Sequence, residues 1–103
     1  MQGEGQPSHH DLVRAHVVVE GRVQGVSYRA FTQQHALRLN LCGWVRNLAS
    51  GHVECEAQGL RESVEAWLTF LRQGPMLAHV THIHVQWISP ENDVSDFHIL
   101  RSS

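Results

Sequence analysis

Apolar and polar positions change period several times along this chain. Ala15-His16-Val17-Val18-Val19-Glu20 is a β-branched run closed by Gly21, which predicts a strand with Ala15, Val17 and Val19 facing inward. A short loop containing Gly21 and Gly25 follows, up to Tyr28. Tyr28, Thr32, Ala36 and Leu39 then fall on one stripe of an amphipathic helix over 29–39, and Asn40 stands where a left-handed cap is expected. Two short strands are predicted over 43–48 and 52–58, joined through Ala49-Ser50-Gly51 as a hairpin. In the second of them, Val53, Cys55 and Ala57 alternate with His52, Glu54, Glu56 and Gln58, so one face is buried and the other wet. Val64, Trp67, Leu68 and Leu71 mark a helix over 60–73 that Gly74-Pro75 stops. A strand over 80–88 carries Ile83, Val85 and Trp87 on its core side, and a short last strand is expected over 97–100.

The order β-α-β-β-α-β is the split βαβ unit of the ferredoxin-like fold, an α+β two-layer sandwich. Right-handed crossovers put both helices on one face of an antiparallel sheet. In that topology the first and second strands run parallel with the third between them, so their C-terminal ends share an edge. The loop after the first strand therefore meets Asn47, near the end of the second, across roughly 10 Å, or two strand spacings. Residues 1–11, with Gly3, Gly5, Pro7, His9 and His10, show no periodicity and read as a flexible leader, leaving 12–103 as the domain.

The composition supports one small domain. The chain has 103 residues, 42% hydrophobic and 17% charged, which fits neither a disordered tail nor a membrane span. No apolar run approaches the ~20 residues needed to cross a bilayer. Residues 1–8 lack the basic-then-apolar pattern of a signal peptide, so a cytoplasmic protein, a monomer with no membrane partner, is expected. A net charge of -2 argues against an electrostatic grip on nucleic acid. All eight basic residues are Arg and none is Lys, which excludes Schiff-base and Walker-type lysine chemistry. Any anion must be held by guanidinium or backbone N–H groups. Pairing the hairpin strands around Ser50-Gly51 sets Cys55 beside Arg46 and Cys42 beside Gly59, about four rows or ~13 Å apart. A disulfide needs Cα atoms within about 7 Å, so two reduced thiols are expected.

The candidate chemistry lies in Gly21-Arg22-Val23-Gln24-Gly25-Val26-Ser27-Tyr28-Arg29, which runs from a strand into the first turn of a helix. Unpaired N–H groups at a helix start carry partial positive charge, and a glycine lets the backbone fold into a nest for an oxyanion such as phosphate. Arg29 adds a bidentate fork. Asn47, closing Gly43-Trp44-Val45-Arg46-Asn47, offers an amide that holds a water in a set direction without titrating. Other groups read more plainly. His79, His82 and His84 are polar residues on the open sheet face rather than a metal site, and no metal or cofactor is expected. Trp67 and Trp87 fall on core-directed positions, and Glu54 with Glu56 reads as a wet edge rather than an acid/base pair.

The strings GRVQGVSYR and GWVRN, with GHVECEAQG and a later GP, resemble those of the acylphosphatases, and the resemblance runs from about Val17 to Phe97. It implies metal-independent hydrolysis of a carboxyl–phosphoryl anhydride, with an acyl phosphate as the small-molecule substrate. The phosphate-binding arginine falls on Arg29 and the water-orienting asparagine on Asn47. The phosphate loop falls on Gln24, Gly25, Val26, Ser27, Tyr28 and Arg29. Tyr28 stands where the family usually has Phe, and Asn40 replaces a frequent Gly. Two other readings are a non-catalytic ferredoxin-like module that binds an anion or a partner, and a relative acting on another phosphoanhydride such as carbamoyl phosphate.

Overall fold

In the computed structural model, which describes residues 11–103, the chain forms β1 (Leu12–Arg22), α1 (Tyr28–Arg38), β2 (Cys42–Asn47), β3 (Val53–Leu60), α2 (Arg61–Gln73), β4 (His79–Ile88) and β5 (Phe97–Ile99). The His9–His10 pair and most of the expected leader lie outside the described residues. The strand order is β4-β1-β3-β2-β5. The β1/β3, β1/β4 and β2/β3 pairs are antiparallel, as the ferredoxin-like order requires, and β1 and β2 run the same way on either side of β3.

The sheet is not wholly antiparallel, because β5 pairs with β2 in parallel. Leaving β4 at one end of the sheet, the chain crosses to the far edge at that same end. It must re-enter in the direction opposite to β4, which is the direction of β2. The hairpin also differs by one residue from the expected register: Cys55 faces Val45 and Cys42 faces Gln58. Leu48 N–H donates to the His52 carbonyl at 2.9 Å, and Gly51, at φ 96, closes a turn centred on Ser50 rather than on the Ser50–Gly51 bond. A loop with an odd number of residues pivots on a residue, which shifts every pair by one. Both thiols remain free, now about three rows or ~10 Å apart.

The core lies between the helices and one sheet face. Ala15, Val17, Val19, Val45, Val53, Cys55 and Ala57 meet Tyr28, Thr32 and Ala36 of α1 and Val64, Trp67, Leu68 and Leu71 of α2. Burying large side chains of this kind contributes about 1.5–3 kcal/mol each. The polar atoms they bring are paired: Trp67 Nε1 donates to the Thr32 carbonyl at 3.2 Å, and Thr32 Oγ1 to the Tyr28 carbonyl at 2.9 Å. Asn40 takes the expected left-handed conformation, φ 60, after α1. Trp87 corrects its assignment to the core. It faces the helix side opposite Ala15, but β4 is an edge strand and leaves it 43% exposed, with the Arg61 guanidinium 4.8 Å over its ring.

The opposite face is less wet than its alternation suggests. Arg14, only 2% exposed, donates from Nε to Glu56 Oε1 at 2.9 Å and from one guanidinium nitrogen to Gln58 Oε1 at 3.2 Å. The crossing segment before β5 lies over this corner: Gln58 Nε2 donates to the Glu91 carbonyl at 2.9 Å, and Glu91 N–H returns a bond to Gln58 Oε1 at 2.8 Å. Glu54 is held by His16 Nε2 at 2.7 Å and Arg46 Nε at 2.8 Å. Neither glutamate lies on an edge, since β3 is the middle strand of the sheet.

Candidate active site

The loop between β1 and α1 owes its shape to two left-handed residues, Gly25 at φ 76 and Ser27 at φ 65. A Cβ at Gly25 would meet nothing within 4 Å, so glycine is there for its backbone angle and not for space. Ser27 is the N-cap of α1 but makes no side-chain cap bond. The helix ladder starts with Phe31 N–H donating to the Ser27 carbonyl at 3.0 Å. The N–H groups of Tyr28, Arg29 and Ala30 therefore have no acceptor within the helix. Left-handed residues next to a bare helix start give the backbone geometry of an anion-binding nest, with the positive end of the helix dipole behind it.

This loop forms one wall of a cleft of about 240 Å³. Gly25, Ser27, Tyr28 and Arg29 line it from the loop and helix, and Asn47 lines it from the end of β2. A water occupies about 30 Å³ of liquid volume, so a phosphoryl group and a water fit together here. Arg29 is partly buried, and among the described residues no carboxylate pairs with it. Among the described residues that line the cleft none is acidic, so none of them compensates the cationic charge.

Strand alternation aims Asn47 at the helix side: it pairs with buried Val53 and sits two residues after buried Val45. Its backbone carbonyl accepts from Ser103 N–H at 2.9 Å, which fixes the main chain. Its side-chain Oδ1 is buried and has no hydrogen-bond partner. An unpaired buried acceptor costs about 1–3 kcal/mol, a cost that a donor such as a water relieves.

Two residues of the expected phosphate loop are absent from the cleft lining. Val26 packs its side chain against the core. Gln24 turns its amide to the hairpin, where Nε2 donates to the carbonyls of Leu48 and His52, each at 2.8 Å. The Tyr28 hydroxyl is buried and donates to the Leu71 carbonyl at 2.7 Å; burial, and then the nearby Cys55, push its ionisation well above the ordinary tyrosine range. The hydroxyl that distinguishes Tyr28 from Phe thus ties α1 to α2. Val23, Ala30 and Ile99 also line the cleft and were not anticipated. Ile99 comes from β5, with no local signal in the sequence beyond its i, i+2 relation to buried Phe97.

On the open face the His82 and His84 rings lie 4.2 Å apart, and His84 Nε2 bonds Glu20 Oε2. Among the described residues, no group of three or more His, Cys, Asp or Glu side chains is arranged to hold a metal ion. Nor is any helix among them long and apolar enough to cross a membrane.

Residues 15–99 match the family model described as Acylphosphatase. A Methylococcus capsulatus protein named acylphosphatase is 49% identical over 90 residues, covering 87% of this chain and 98% of that one. One from Thermus thermophilus is 48% identical over 88 residues, covering 85% and 99%. The crystal structure of acylphosphatase from Bacillus subtilis superposes with a TM-score of 0.83 at 32% identity, covering 85% of this chain and 98% of that chain.

Proposed function

The chain belongs to the acylphosphatase family, and from that membership we propose how its cleft hydrolyses the carboxyl–phosphate bond of an acyl phosphate to carboxylate and inorganic phosphate. The phosphoryl group sits on the backbone N–H groups of the Gln24, Gly25, Val26, Ser27, Tyr28 and Arg29 loop, with the Arg29 guanidinium forking two of its oxygens. Asn47 Oδ1 accepts a hydrogen bond from the attacking water and turns its lone pair toward phosphorus. The observation that carries this reading is the buried, unpartnered Asn47 Oδ1 in the same cleft as the unpaired Arg29.

The chemistry asks little more of the protein. A carboxylate leaves readily with the electron pair of the broken P–O bond, so no strong general acid is required. A loose, metaphosphate-like transition state spreads charge over the equatorial oxygens, where preorganised amides and a guanidinium stabilise it. Fixing the water lowers the entropic part of the barrier. The water's proton passes to a phosphoryl oxygen of the substrate. No step calls for a metal or cofactor. The single domain over 12–103, a monomeric state, a cytoplasmic setting and a small-molecule partner rather than nucleic acid belong to the same proposal; the net charge of -2 and the two free thiols support it.

Benzoyl phosphate hydrolysis tests the assignment. Arg29→Ala and Asn47→Ala are each expected to lower kcat/KM by about 10²-fold or more, comparable to losing a preorganised transition-state donor. Inorganic phosphate should still inhibit Asn47→Ala but bind Arg29→Ala far more weakly, and a chelator should leave the wild-type rate unchanged. A folded variant that hydrolyses at near wild-type rate removes that residue from the mechanism. A wild-type protein that binds phosphate without turnover favours the anion-binding module instead.

A further inference from the structure

Cradle and water-holder sit on parts of the chain that do not touch in sequence. The loop and Arg29 belong to the β1–α1 connection, whereas Asn47 ends β2, and β3 lies between those two strands. Hydrolysis requires the water within about 3–3.5 Å of phosphorus and in line with the leaving oxygen. Something must therefore fix the spacing between the two halves.

Gln24 is placed to do so. Its two Nε2 donations, both at 2.8 Å, go to the Leu48 and His52 carbonyls. Those residues form the closing pair of the β2–β3 hairpin, joined by Leu48 N–H to the His52 carbonyl at 2.9 Å. Leu48 is also the residue next to Asn47. A primary amide nitrogen carries two hydrogens, and here each has its own backbone acceptor. The bonds are thus specific for an NH₂ donor at that reach: Glu has the shape without the donor, Met has similar length without polarity, and Asn is one methylene short. The side chain of the neighbouring loop residue Val26 is committed to the core, which anchors the other end of the tie.

We propose that Gln24 is a positioning residue, whose side chain holds the phosphate loop at the correct distance from the Asn47-bound water and does not itself bind phosphate. Resting on the hydrolysis proposed above, this separates two functions within one motif: backbone amides hold the anion while the Gln24 side chain sets the approach of the nucleophile. Loosening the tie should therefore damage turnover more than anion binding.

Gln24→Met, Gln24→Glu and Gln24→Asn test it, assayed with benzoyl phosphate well below each variant's unfolding temperature, with inorganic phosphate as competitive inhibitor. A misplacement of about 1 Å costs on the order of 10²-fold in rate, so kcat is expected to fall about 10- to 100-fold. The phosphate inhibition constant should stay within about threefold of wild type, the split expected for a transition-state effect. A purely structural brace would lower the unfolding temperature and leave kcat intact. The role is overturned if any folded variant keeps kcat within about twofold of wild type, or if phosphate inhibition weakens in step with kcat, which would make Gln24 a phosphate contact. Should Gln24→Glu not fold, its repulsion of two carbonyls accounts for it, and the neutral Met and Asn variants decide. A wild-type protein that leaves benzoyl phosphate intact overturns the hydrolysis itself. An active wild type with an equally active Gln24→Met overturns only the positioning role.

Discussion

Arg14→Met removes a guanidinium from the sheet face opposite the helices, and its cost can be worked from the contacts. Arg14 is 2% exposed and meets Glu56 Oε1 through two nitrogens, at 2.9 and 2.8 Å, in addition to Gln58 at 3.2 Å. Glu91 lies 3.7 Å away with a side chain 56% exposed, and a solvent-screened pair of that kind adds little. The loss therefore falls on Glu56, whose side chain is 14% exposed, and on the buried Gln58 amide. Stripping the partner from a buried ion pair costs about 3–5 kcal/mol; partial access of Glu56 to water places the expectation near the lower end, about 3 kcal/mol. For a domain of this size that corresponds to roughly 12–24 °C in unfolding temperature. Urea unfolding followed by circular dichroism measures it, with Glu56→Leu and the double variant completing a cycle. The double variant should be less destabilised than the sum of the singles, because it strands no charge. Turnover at low temperature should persist, since the cleft is on the other side of the sheet. A single-variant loss below about 1 kcal/mol, or strict additivity, would refute the view that this pair is desolvated.

Two other outcomes follow from contacts elsewhere in the sheet. Burial alone would raise the Glu54 carboxyl, but hydrogen bonds and charge from His16 and Arg46 outweigh it and hold the group below its ordinary 4.5. A carboxylate depressed in the fold stabilises above its unfolded value, so this contribution is complete above about pH 5 and is lost as the pH falls through the lower folded-state value; Glu54→Gln should flatten the urea midpoint against pH in that window. Gly21, at φ 127, would place a Cβ 2.0 Å from the His79 carbonyl oxygen and 2.9 Å from Thr81 N, both main chain. Gly21→Ala should therefore cost about 3 kcal/mol by prising β1 from β4 where their register shifts between Glu20 and Gly21, and an unfolding curve matching wild type would contradict that close approach.

Local periodicity was enough to place every helix and strand, because each buries one face and its spacing records which one. Asn40 was legible for the same local reason: a left-handed cap is a backbone requirement that few residues meet. Of the candidate site, Gly25 and Arg29 from the first motif and Asn47 from the second line one cleft, as strand direction leads one to expect. What escaped depends on relations between distant segments. Trp87 has a core-facing parity, but parity does not reveal that β4 is an edge. The hairpin register turned on whether the turn pivots on Ser50 or on the bond after it. Arg14 precedes the strand that the β-branched run marks, and nothing local shows its burial, which depends on Glu56 and Gln58 of a distant strand and on the crossing segment that bonds Gln58. The side chain of Gln24 sits in the phosphate motif yet faces Leu48 and His52, acceptors more than twenty residues on.

The buried hydroxyl of Tyr28 has a consequence for how such a catalyst meets changing acidity. Guanidinium groups stay cationic throughout the physiological range, an asparagine amide does not ionise, and Tyr28, sealed against Leu71, cannot shed its proton near neutrality. Among the described residues that wall the cleft, none is a switch that moderate acid or alkali would throw. In the proposed mechanism, sensitivity to acidity passes to the substrate, whose own phosphate oxygens gain or lose protons, while the pocket presents the same face throughout.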